Sequence, residues 1–295
     1  MAVLLLVMLL LLLLCGIQWL GLGRVAWALL SEASGSESLQ ATASALNDVL
    51  SAHCTGGKIA SFTPDEVLPW ASSMRAAHPE IYRELLTYET REEGAMSPPF
   101  GALDPAQLTL TRGECWRTLW LVVYGRRAAA TEHFPRTMEL LSATSVTTAM
   151  FSILEPGCSI GRHSGENKAV LRYHLGIEVP PTTDETLELR IDHPERRLKF
   201  SWANGSDLLF DDTFSHEVVN TRAAGRRVVL FVDVPREDCG ALNALLPLLI
   251  QLIGRTERVG HLWRQVNLWP ERVRALSRMS ARLSEYGVGR EYLAM

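Results

Sequence analysis

The sequence predicts a mainly β domain with flanking helices, in which short strands form a sandwich or a barrel. Between residues 146 and 234, runs of apolar and β-branched residues alternate with turn signals at a spacing of roughly 8–12 residues. The segments before and after this part show helical spacing of their apolar residues instead. Hydrophobic residues make up 47% and charged residues 21% of the 295-residue chain, which is typical of a globular protein.

The N-terminus carries a long apolar run. Residues 2–23 contain no charged side chain, and 22 helical residues would measure about 33 Å, enough to cross a hydrocarbon core of about 30 Å. We predict a transmembrane anchor over residues 1–30. A signal peptide cleaved near Ala33 is the alternative, but no basic residue precedes the run. Arg24 favours a cytoplasmic position for the rest of the chain.

The next elements are a linker and a helical part. Residues 31–62 are rich in Ser, Ala, Gly and Thr and are predicted to be a linker or stalk. A helical pattern runs from Thr63 to Leu86, with a hydroxyl residue followed by proline and two acids at its start. A strand is expected over Trp116–Tyr124 and a short helix over Pro135–Leu141.

Seven strands are expected in the β-rich part, each bounded by turn residues such as Glu155-Pro156-Gly157 and Asn204-Gly205. These strands are Thr147–Leu154, Ala169–Val179, Leu187–Ile191, Leu198–Trp202, Asp207–Phe210, Glu217–Asn220 and Arg227–Val234.

The C-terminal residues 241–295 are predicted to form a helical extension. An apolar helix is expected over Leu242–Ile253 and an amphipathic one over Glu271–Tyr286. The second helix places arginines 274, 278 and 282 on one stripe and apolar residues on another. It either packs on the domain or lies on an anionic bilayer surface.

Charge and cysteine content exclude several classes of protein. The net charge of −4 and the pI near 6.1 do not suit a nucleic-acid-binding protein. The five cysteines are widely spaced and form no C-x-x-C pair, which argues against a zinc framework and a dense disulfide scaffold. One disulfide among the four cysteines after Cys15 is possible, so the sequence does not decide between a reducing and an oxidising compartment.

Two histidines and one arginine are the candidate functional residues, and the histidines are candidate metal ligands. His163 and His216 lie 53 residues apart, and Arg227 follows 11 residues after the second histidine. Non-haem Fe(II) in oxygenases is commonly held by two histidines and one carboxylate. That carboxylate usually lies two residues after the first histidine, and here the position is Gly165. We expect an aspartate at 165 to add a ligand and tighten metal binding.

The part of the chain from Ala149 to Val234 resembles the aspartyl/asparaginyl β-hydroxylases of the Fe(II)/2-oxoglutarate oxygenase superfamily. His163-Ser164-Gly165 resembles the family's H-x-G, in which water takes the place of the acid. The segment from Phe210 to Val218 resembles its second-histidine motif, and Arg227 begins an R-[LV]-[IV]-[FL] pattern. The resemblance implies a double-stranded β-helix (a jelly-roll, cupin-like barrel) within a domain of residues 63–240.

The resemblance also implies a set of site residues. His163 and His216 would bind Fe(II), and 2-oxoglutarate and O₂ would be the cosubstrates. Arg227 and Ser152 would bind the distal carboxylate of 2-oxoglutarate. The remaining basic pair, Arg172 and His174, would bind its other end or an anionic group of the substrate. We further expect Asp212, four residues before His216, to orient that imidazole.

The predicted function is therefore a membrane-anchored, single-pass dioxygenase that hydroxylates an Asp or Asn side chain of a peptide or protein. Two alternatives remain. The family includes lipid A hydroxylase-like members that act on acyl chains, and the same barrel could serve as a non-catalytic membrane-bound binding module. The expected membrane is the endoplasmic reticulum in a eukaryote or the inner membrane in a bacterium, with the side of the catalytic domain left open.

Overall fold

A computed structural model describes residues 47–91, 97–181, 187–221, 225–244 and 246–285. The predicted membrane anchor and the first part of the predicted linker lie outside these residues. Among the helices in the described ranges, none combines the length and the apolar character that a bilayer-spanning segment needs.

The described strands form two sheets. The larger has seven strands in the order β1-β9-β6-β11-β4-β2-β3, and the smaller has four in the order β5-β10-β7-β8. The strands are β1 (Ser61–Phe62), β2 (Trp116–Val123), β3 (Arg126–Arg127), β4 (Thr148–Leu154), β5 (Ile160–His163), β6 (Val170–Glu178), β7 (Leu187–Asp192), β8 (Arg197–Phe200), β9 (Asp207–Phe210), β10 (His216–Asn220) and β11 (Arg227–Pro235).

Strand β11 shows how the two layers are built. Its residues Val228, Leu230 and Val232 pack into a cluster with the helices on the outer face of the larger sheet. The alternating residues Val229 and Phe231 pack into a second cluster that contains side chains of the smaller sheet. Because β11 is covered on both faces, it is apolar almost throughout. The prediction of a mainly β domain is confirmed, but the described strands form two separate sheets and no closed barrel.

Helices cover the outer face of the larger sheet and one edge of the fold. The helical pattern expected from Thr63 to Leu86 is divided into three helices, the last of which has Pro79 in its first turn, where proline fits best. The helices are α1 (Pro64–Val67), α2 (Ala71–Ala76), α3 (His78–Glu89), α4 (Phe100–Leu103), α5 (Pro135–Ser142), α6 (Leu246–Gly254) and α7 (Glu257–Glu285).

Residues 47–62, which we call the N-terminal strap, differ from the predicted linker. Residues 47–53 are helical, and Val49 and Leu50 are buried. A disulfide joins Cys54 to Cys239 just after β11, and β1 pairs with β9. The packed body therefore begins well before residue 63. A second disulfide, Cys115–Cys158, means that all four cysteines in the described residues are paired.

Candidate active site

The two predicted iron ligands face each other across a strand pair. Strands β5 and β10 are antiparallel, and His163 is the direct partner of His216. Directly opposed residues project from the same face of a sheet, and the two ring centroids are 4.2 Å apart. Strand β5 was not predicted, because its residues 160–163 include a glycine and an arginine and show little β character. The pairing nevertheless brings together the two histidines that the sequence singled out.

Each imidazole is oriented by its own backbone. Nδ1 of His163 lies 2.8 Å from the carbonyl oxygen of Gly161, and Nδ1 of His216 lies 2.9 Å from that of Phe214. A carbonyl only accepts, so Nδ1 donates in both rings and Nε2 keeps its lone pair in the neutral form. Burial lowers the pKa of His163, and it lowers the pKa of His216 to about 3 with a further contribution from His163. Both rings are therefore neutral at pH 7, the form that binds a metal.

Asp212 lies next to this pair, and its backbone hydrogen-bonds to the His216 ring, but its carboxylate does not hold Nδ1 of that ring. Phe214 supplies the carbonyl that holds the ring instead. The buried carboxylate of Asp212 forms an ion pair with Arg172, with Nη1 and Oδ2 2.5 Å apart. Burial raises the pKa of Asp212 to about 7, against the opposing effect of Arg172. Asp212 also occupies the space where a Cβ of residue 165 would project.

Arg172 is engaged by protein carboxylates. Besides Asp212 it contacts Asp233 through Nε at 2.9 Å and Nη2 at 3.1 Å, and its guanidinium lies 4.1 Å from the centre of the Phe231 ring. The structure thus places Arg172 beside the histidine pair in an ion-pair cluster. The predicted contact with 2-oxoglutarate would have to compete with two carboxylates that already surround this cation.

Arg227 has the opposite environment. It is 1% exposed at the start of β11, and its Nε has no hydrogen-bond partner among the described residues. Its guanidinium lies 4.8 Å from the centre of the Trp202 ring. Burial lowers the pKa of Arg227 to about 9, so the side chain still carries its charge at neutral pH. A buried cation without a carboxylate is costly in free energy, which fits a position that receives an anionic ligand.

The other predicted cosubstrate residues share this face. Ser152 on β4 is the partner of Val229 and so lies on the same face as Arg227. Its buried hydroxyl accepts a hydrogen bond from Nε1 of Trp116 at 3.0 Å and keeps its proton to donate. His174 on β6 is the partner of Phe231 on that face, and neither ring nitrogen has a partner among the described residues.

Ring contacts connect the histidine pair to Arg227 through the space between the sheets. The Phe210 ring lies 5.7 Å from that of His216 and 5.2 Å from that of His174, measured between centroids. Trp202 lies 6.1 Å from His174 and also contacts Arg227. Trp202 was missed as a site residue, since nothing in its local sequence distinguishes it from a core tryptophan. Its buried Nε1 also lacks a partner among the described residues.

A buried ionic cluster connects the loop that follows His163 to the loop that precedes His216. Lys168, five residues after His163, lies 2.7 Å from Asp211, and Arg236 lies 2.6 Å from the same carboxylate. The N-terminal strap joins this region: the side chain of Asn47 accepts from the Lys168 backbone N–H at 2.9 Å and donates to the Glu166 carbonyl at 3.0 Å. These positioning residues lie far apart in sequence, which is why no local pattern predicted them.

These residues fit Fe(II) and a 2-oxoglutarate-like dicarboxylate. Two neutral imidazoles face each other, and imidazole is a donor that Fe(II) accepts. Native proteins rarely leave buried polar atoms without partners. Here, nitrogens of Arg227, His174 and Trp202 have no partner among the described residues, and Trp202 lies close to both of the other two. A bound dicarboxylate would provide acceptors in this region.

Comparison with known proteins shows which sequences this chain resembles. The model of the family described as aspartyl/asparaginyl beta-hydroxylase matches residues 75–237, more than half of the chain, including every residue discussed above from His163 to Arg227. An ornithine lipid ester-linked acyl 2-hydroxylase of Rhizobium tropici is 34% identical over 167 residues, which are 56% of this chain and 57% of that protein.

The aspartyl/asparaginyl beta-hydroxylase of Mus musculus is 30% identical over 177 residues, 56% of this chain and 23% of that protein. The match thus spans only part of the length of these relatives. A solved prolyl hydroxylase from Trichoplax adhaerens, in complex with a peptide fragment of hypoxia inducible factor, aligns with 71% of this chain and 97% of its own at 15% identity and a TM-score of 0.41. On the strength of the family match, the chain belongs to the aspartyl/asparaginyl β-hydroxylase family.

Proposed function

We propose that this protein is an Fe(II)- and 2-oxoglutarate-dependent hydroxylase. The observation that supports the proposal most directly is that two candidate binding sites lie in the same space between the sheets. One is the neutral, facing imidazoles of His163 and His216, and the other is the buried cation of Arg227, whose Nε has no partner among the described residues. A dicarboxylate that chelates the metal through its keto-acid end would present its distal carboxylate to Arg227.

Bound Fe(II) would supply the O₂ chemistry, in which 2-oxoglutarate and O₂ would be converted to succinate and CO₂, with one oxygen atom in the succinate and the other inserted into a substrate C–H bond. The chain supplies the positioning. Arg227 pairs with the distal carboxylate in the planar geometry that arginine favours, and the Ser152 hydroxyl donates to it. The buried walls formed by Phe210 and Trp202 exclude water from this end of the site.

For the substrate we propose the acyl chain of a lipid in preference to the predicted peptide side chain. The Rhizobium tropici lipid hydroxylase matches at higher identity, and over a larger share of its own length, than the mouse enzyme does. An exposed apolar side chain also belongs to a segment that is hydrogen-bonded to the strand of the first histidine. Leu108 is 61% exposed, and the carbonyl of nearby Leu110 accepts a hydrogen bond from Gly161 in β5.

An Asp or Asn side chain of a peptide remains the second candidate, and the mouse relative supports it. The two substrates can be separated by incubating the full chain with Fe(II), 2-oxoglutarate and O₂ in the presence of ornithine-containing lipids, other acyl lipids or Asp- and Asn-containing peptides. Mass spectrometry should find a gain of one oxygen in a lipid acyl chain. A gain in the peptides alone would support the second candidate.

The non-catalytic alternative makes a different prediction. Under anaerobic conditions, adding 2-oxoglutarate to the Fe(II)-loaded protein should produce a weak visible charge-transfer band, and Arg227→Met should abolish it. Absence of the band in the unaltered protein, together with no succinate formed with any substrate, would support a binding module.

We further propose that the protein is anchored through residues 2–23 with its body in an oxidising compartment. The two disulfides favour this side, because disulfides are rare in the cytosol. They oppose the weak indication from Arg24. Alkylation of the protein in intact cells before and after reduction would test this: four cysteines that react only after reduction are expected, and four free thiols would contradict it.

A further inference from the structure

Helix α7 extends for 29 residues and is anchored to the body by one face. Val259 and Val266 belong to the apolar cluster between the sheets, and Val273 is 2% exposed. These residues are spaced by seven, so they lie on one side of the helix. The opposite side of α7 is therefore directed away from the body.

That outer side carries an apolar stripe. Leu268, Leu276 and Met279 are 42%, 49% and 46% exposed. At 3.6 residues per turn their side chains fall within an arc of about 80°. Three large apolar residues on one exposed helix face are more than the single scattered ones that need no explanation.

Basic residues accompany the stripe. Arg264, Arg272 and Arg278 are exposed, and the segment 264–278 contains four arginines and one glutamate. On a helical wheel Arg272 falls within the apolar arc, and Arg264 and Arg278 fall along one edge of it. Long basic side chains that border an apolar face can place their charges among anionic headgroups while the apolar residues enter the interface.

The start of α7 contacts the loop that follows His163. Arg258 forms ion pairs with Glu166 at 3.1 Å and with Asp104 at 3.2 Å. Glu166 lies three residues after His163, in the loop that follows the first histidine strand. Helix α7 therefore joins its outer face to the loop that follows His163, with Pro270 inside the helix between Arg258 and Leu276.

We propose that the outer face of α7, defined by Leu268, Arg272, Leu276, Arg278 and Met279, binds the surface of an anionic lipid bilayer. The combination of an apolar stripe with excess positive charge fits such a surface, on a chain whose overall charge is negative. The uncharged run over residues 2–23 independently indicates that a bilayer is nearby. The proposal does not depend on the substrate or on turnover.

The test uses the full chain in lipid nanodiscs and amide hydrogen exchange read by mass spectrometry. Nanodiscs of phosphatidylcholine alone are compared with nanodiscs that also contain phosphatidylglycerol. Backbone amides of residues 264–285 should exchange more slowly with the anionic lipid, and added salt should reduce the difference. Equal exchange in the two lipids would overturn the proposal. So would protection that rises with protein concentration in both lipids, since that would indicate a second copy on this face.

A matched pair of variants isolates the charges. Arg264→Gln/Arg272→Gln/Arg278→Gln should lose the anionic-lipid protection, because three arginines correspond to roughly a hundredfold in partitioning to such a surface. The control Arg83→Gln/Arg91→Gln/Arg196→Gln removes three exposed arginines elsewhere and should keep it. Exchange in strands β4 and β11 reports whether each variant is folded. Equal protection in both variants would overturn the proposal.

The apolar stripe has its own control. Leu268→Ser/Leu276→Ser/Met279→Ser should weaken the protection, whereas Leu86→Ser, at an exposed leucine on α3, should not. If the serine variant kept full protection while the glutamine variant lost it, the apolar residues would not enter the bilayer, and the proposed mode of binding would be wrong.

Discussion

The carboxylate of Asp212 occupies the space that any side chain at Gly165 would need. A Cβ built on Gly165 would overlap that carboxyl group, and the Gly165 backbone N–H donates to the Asp212 carbonyl at 2.7 Å. Packing therefore favours glycine at this position, which is also the position where many Fe(II) oxygenases have their acidic ligand. The expectation that an aspartate at 165 would simply add a metal ligand does not account for this neighbour.

Gly165→Ala should lower the free energy of unfolding by about 1–3 kcal/mol, the usual cost of overpacking a buried site, and should weaken Fe(II) or Mn(II) binding. In the background of Asp212→Ala the same change should cost less, because the obstructing carboxylate is gone. Denaturant unfolding of the four proteins forms a double-mutant cycle, in which a coupling of about 1 kcal/mol or more is expected. Additive effects would mean that the two residues do not compete for space.

Arg227→Met should abolish most 2-oxoglutarate binding without harming the fold. Loss of a buried charge-assisted pair with the ligand is expected to weaken binding by about a hundredfold, or about 3 kcal/mol. The free energy of unfolding without ligand should be no lower than in the unaltered protein, because the variant removes a buried cation whose Nε has no partner in the described ranges. Calorimetric titration of the metal-loaded protein measures the first effect, and denaturant unfolding measures the second.

The neighbouring Arg226 provides the matched control. It pairs with Glu89 and Glu178, each at 2.7 Å, on the other side of the strand. Arg226→Met should therefore reduce stability and leave 2-oxoglutarate affinity unchanged. The reverse pattern in the two variants would show that the cosubstrate assignment of Arg227 is wrong.

The metal-free protein should lose stability as the pH falls below about 6.5. The pKa of His216 is about 3 in the folded protein and about 6.5 in an unfolded chain. Within this window the unfolded chain binds the proton and the folded protein does not, so the free energy of unfolding decreases as the pH decreases. His216 alone accounts for about 2 kcal/mol between pH 6.5 and 5.

Unfolding with a chelator present, measured over this pH range, should show a shallower slope for His216→Asn than for the unaltered protein. The difference isolates His216, because the other groups titrate in both proteins. Equal slopes would mean that this imidazole is accessible to protons in the folded state.

Removing the Cys54–Cys239 disulfide should destabilise the protein by about 3–5 kcal/mol, since it closes a long loop with a sequence separation of 185 residues. The paired Cys54→Ser/Cys239→Ser variant should also weaken metal binding, because the N-terminal strap contacts the loop after His163 through Asn47. The Cys115–Cys158 disulfide closes a loop with a sequence separation of only 43 residues, so the variant Cys115→Ser/Cys158→Ser serves for comparison. A larger loss of stability in this second variant would contradict the loop-closure argument.

Sequence reasoning succeeded where a local pattern carries the information. Asp207–Phe210 was predicted with its observed bounds, and the predicted strand over Arg227–Val234 ends one residue before the observed one. His163, His216 and Arg227 could be proposed as site residues because each lies in a motif. The alternation along β11 correctly placed Arg227 with Val229 and Phe231 on the face between the sheets.

It failed where the information is carried by contacts between distant residues. The members of the ionic cluster, Lys168, Asp211 and Arg236, are separated by up to 68 positions in sequence, and no periodicity reveals such partners. Four cysteines allow three pairings, and spacing alone does not select one. The N-terminal strap was assigned to a linker because its composition is that of a loop, although the disulfide and β1 tie it to the body.

The two disulfides also constrain how the protein matures. During synthesis Cys54 emerges long before Cys239, and in that interval the cysteines that follow it within the described ranges are Cys115 and Cys158. A bond formed early between Cys54 and either of them is non-native and must be exchanged before the strap can close over the finished sheet. Biogenesis of this protein should therefore depend on a catalyst of thiol–disulfide isomerisation, and not only on an oxidant.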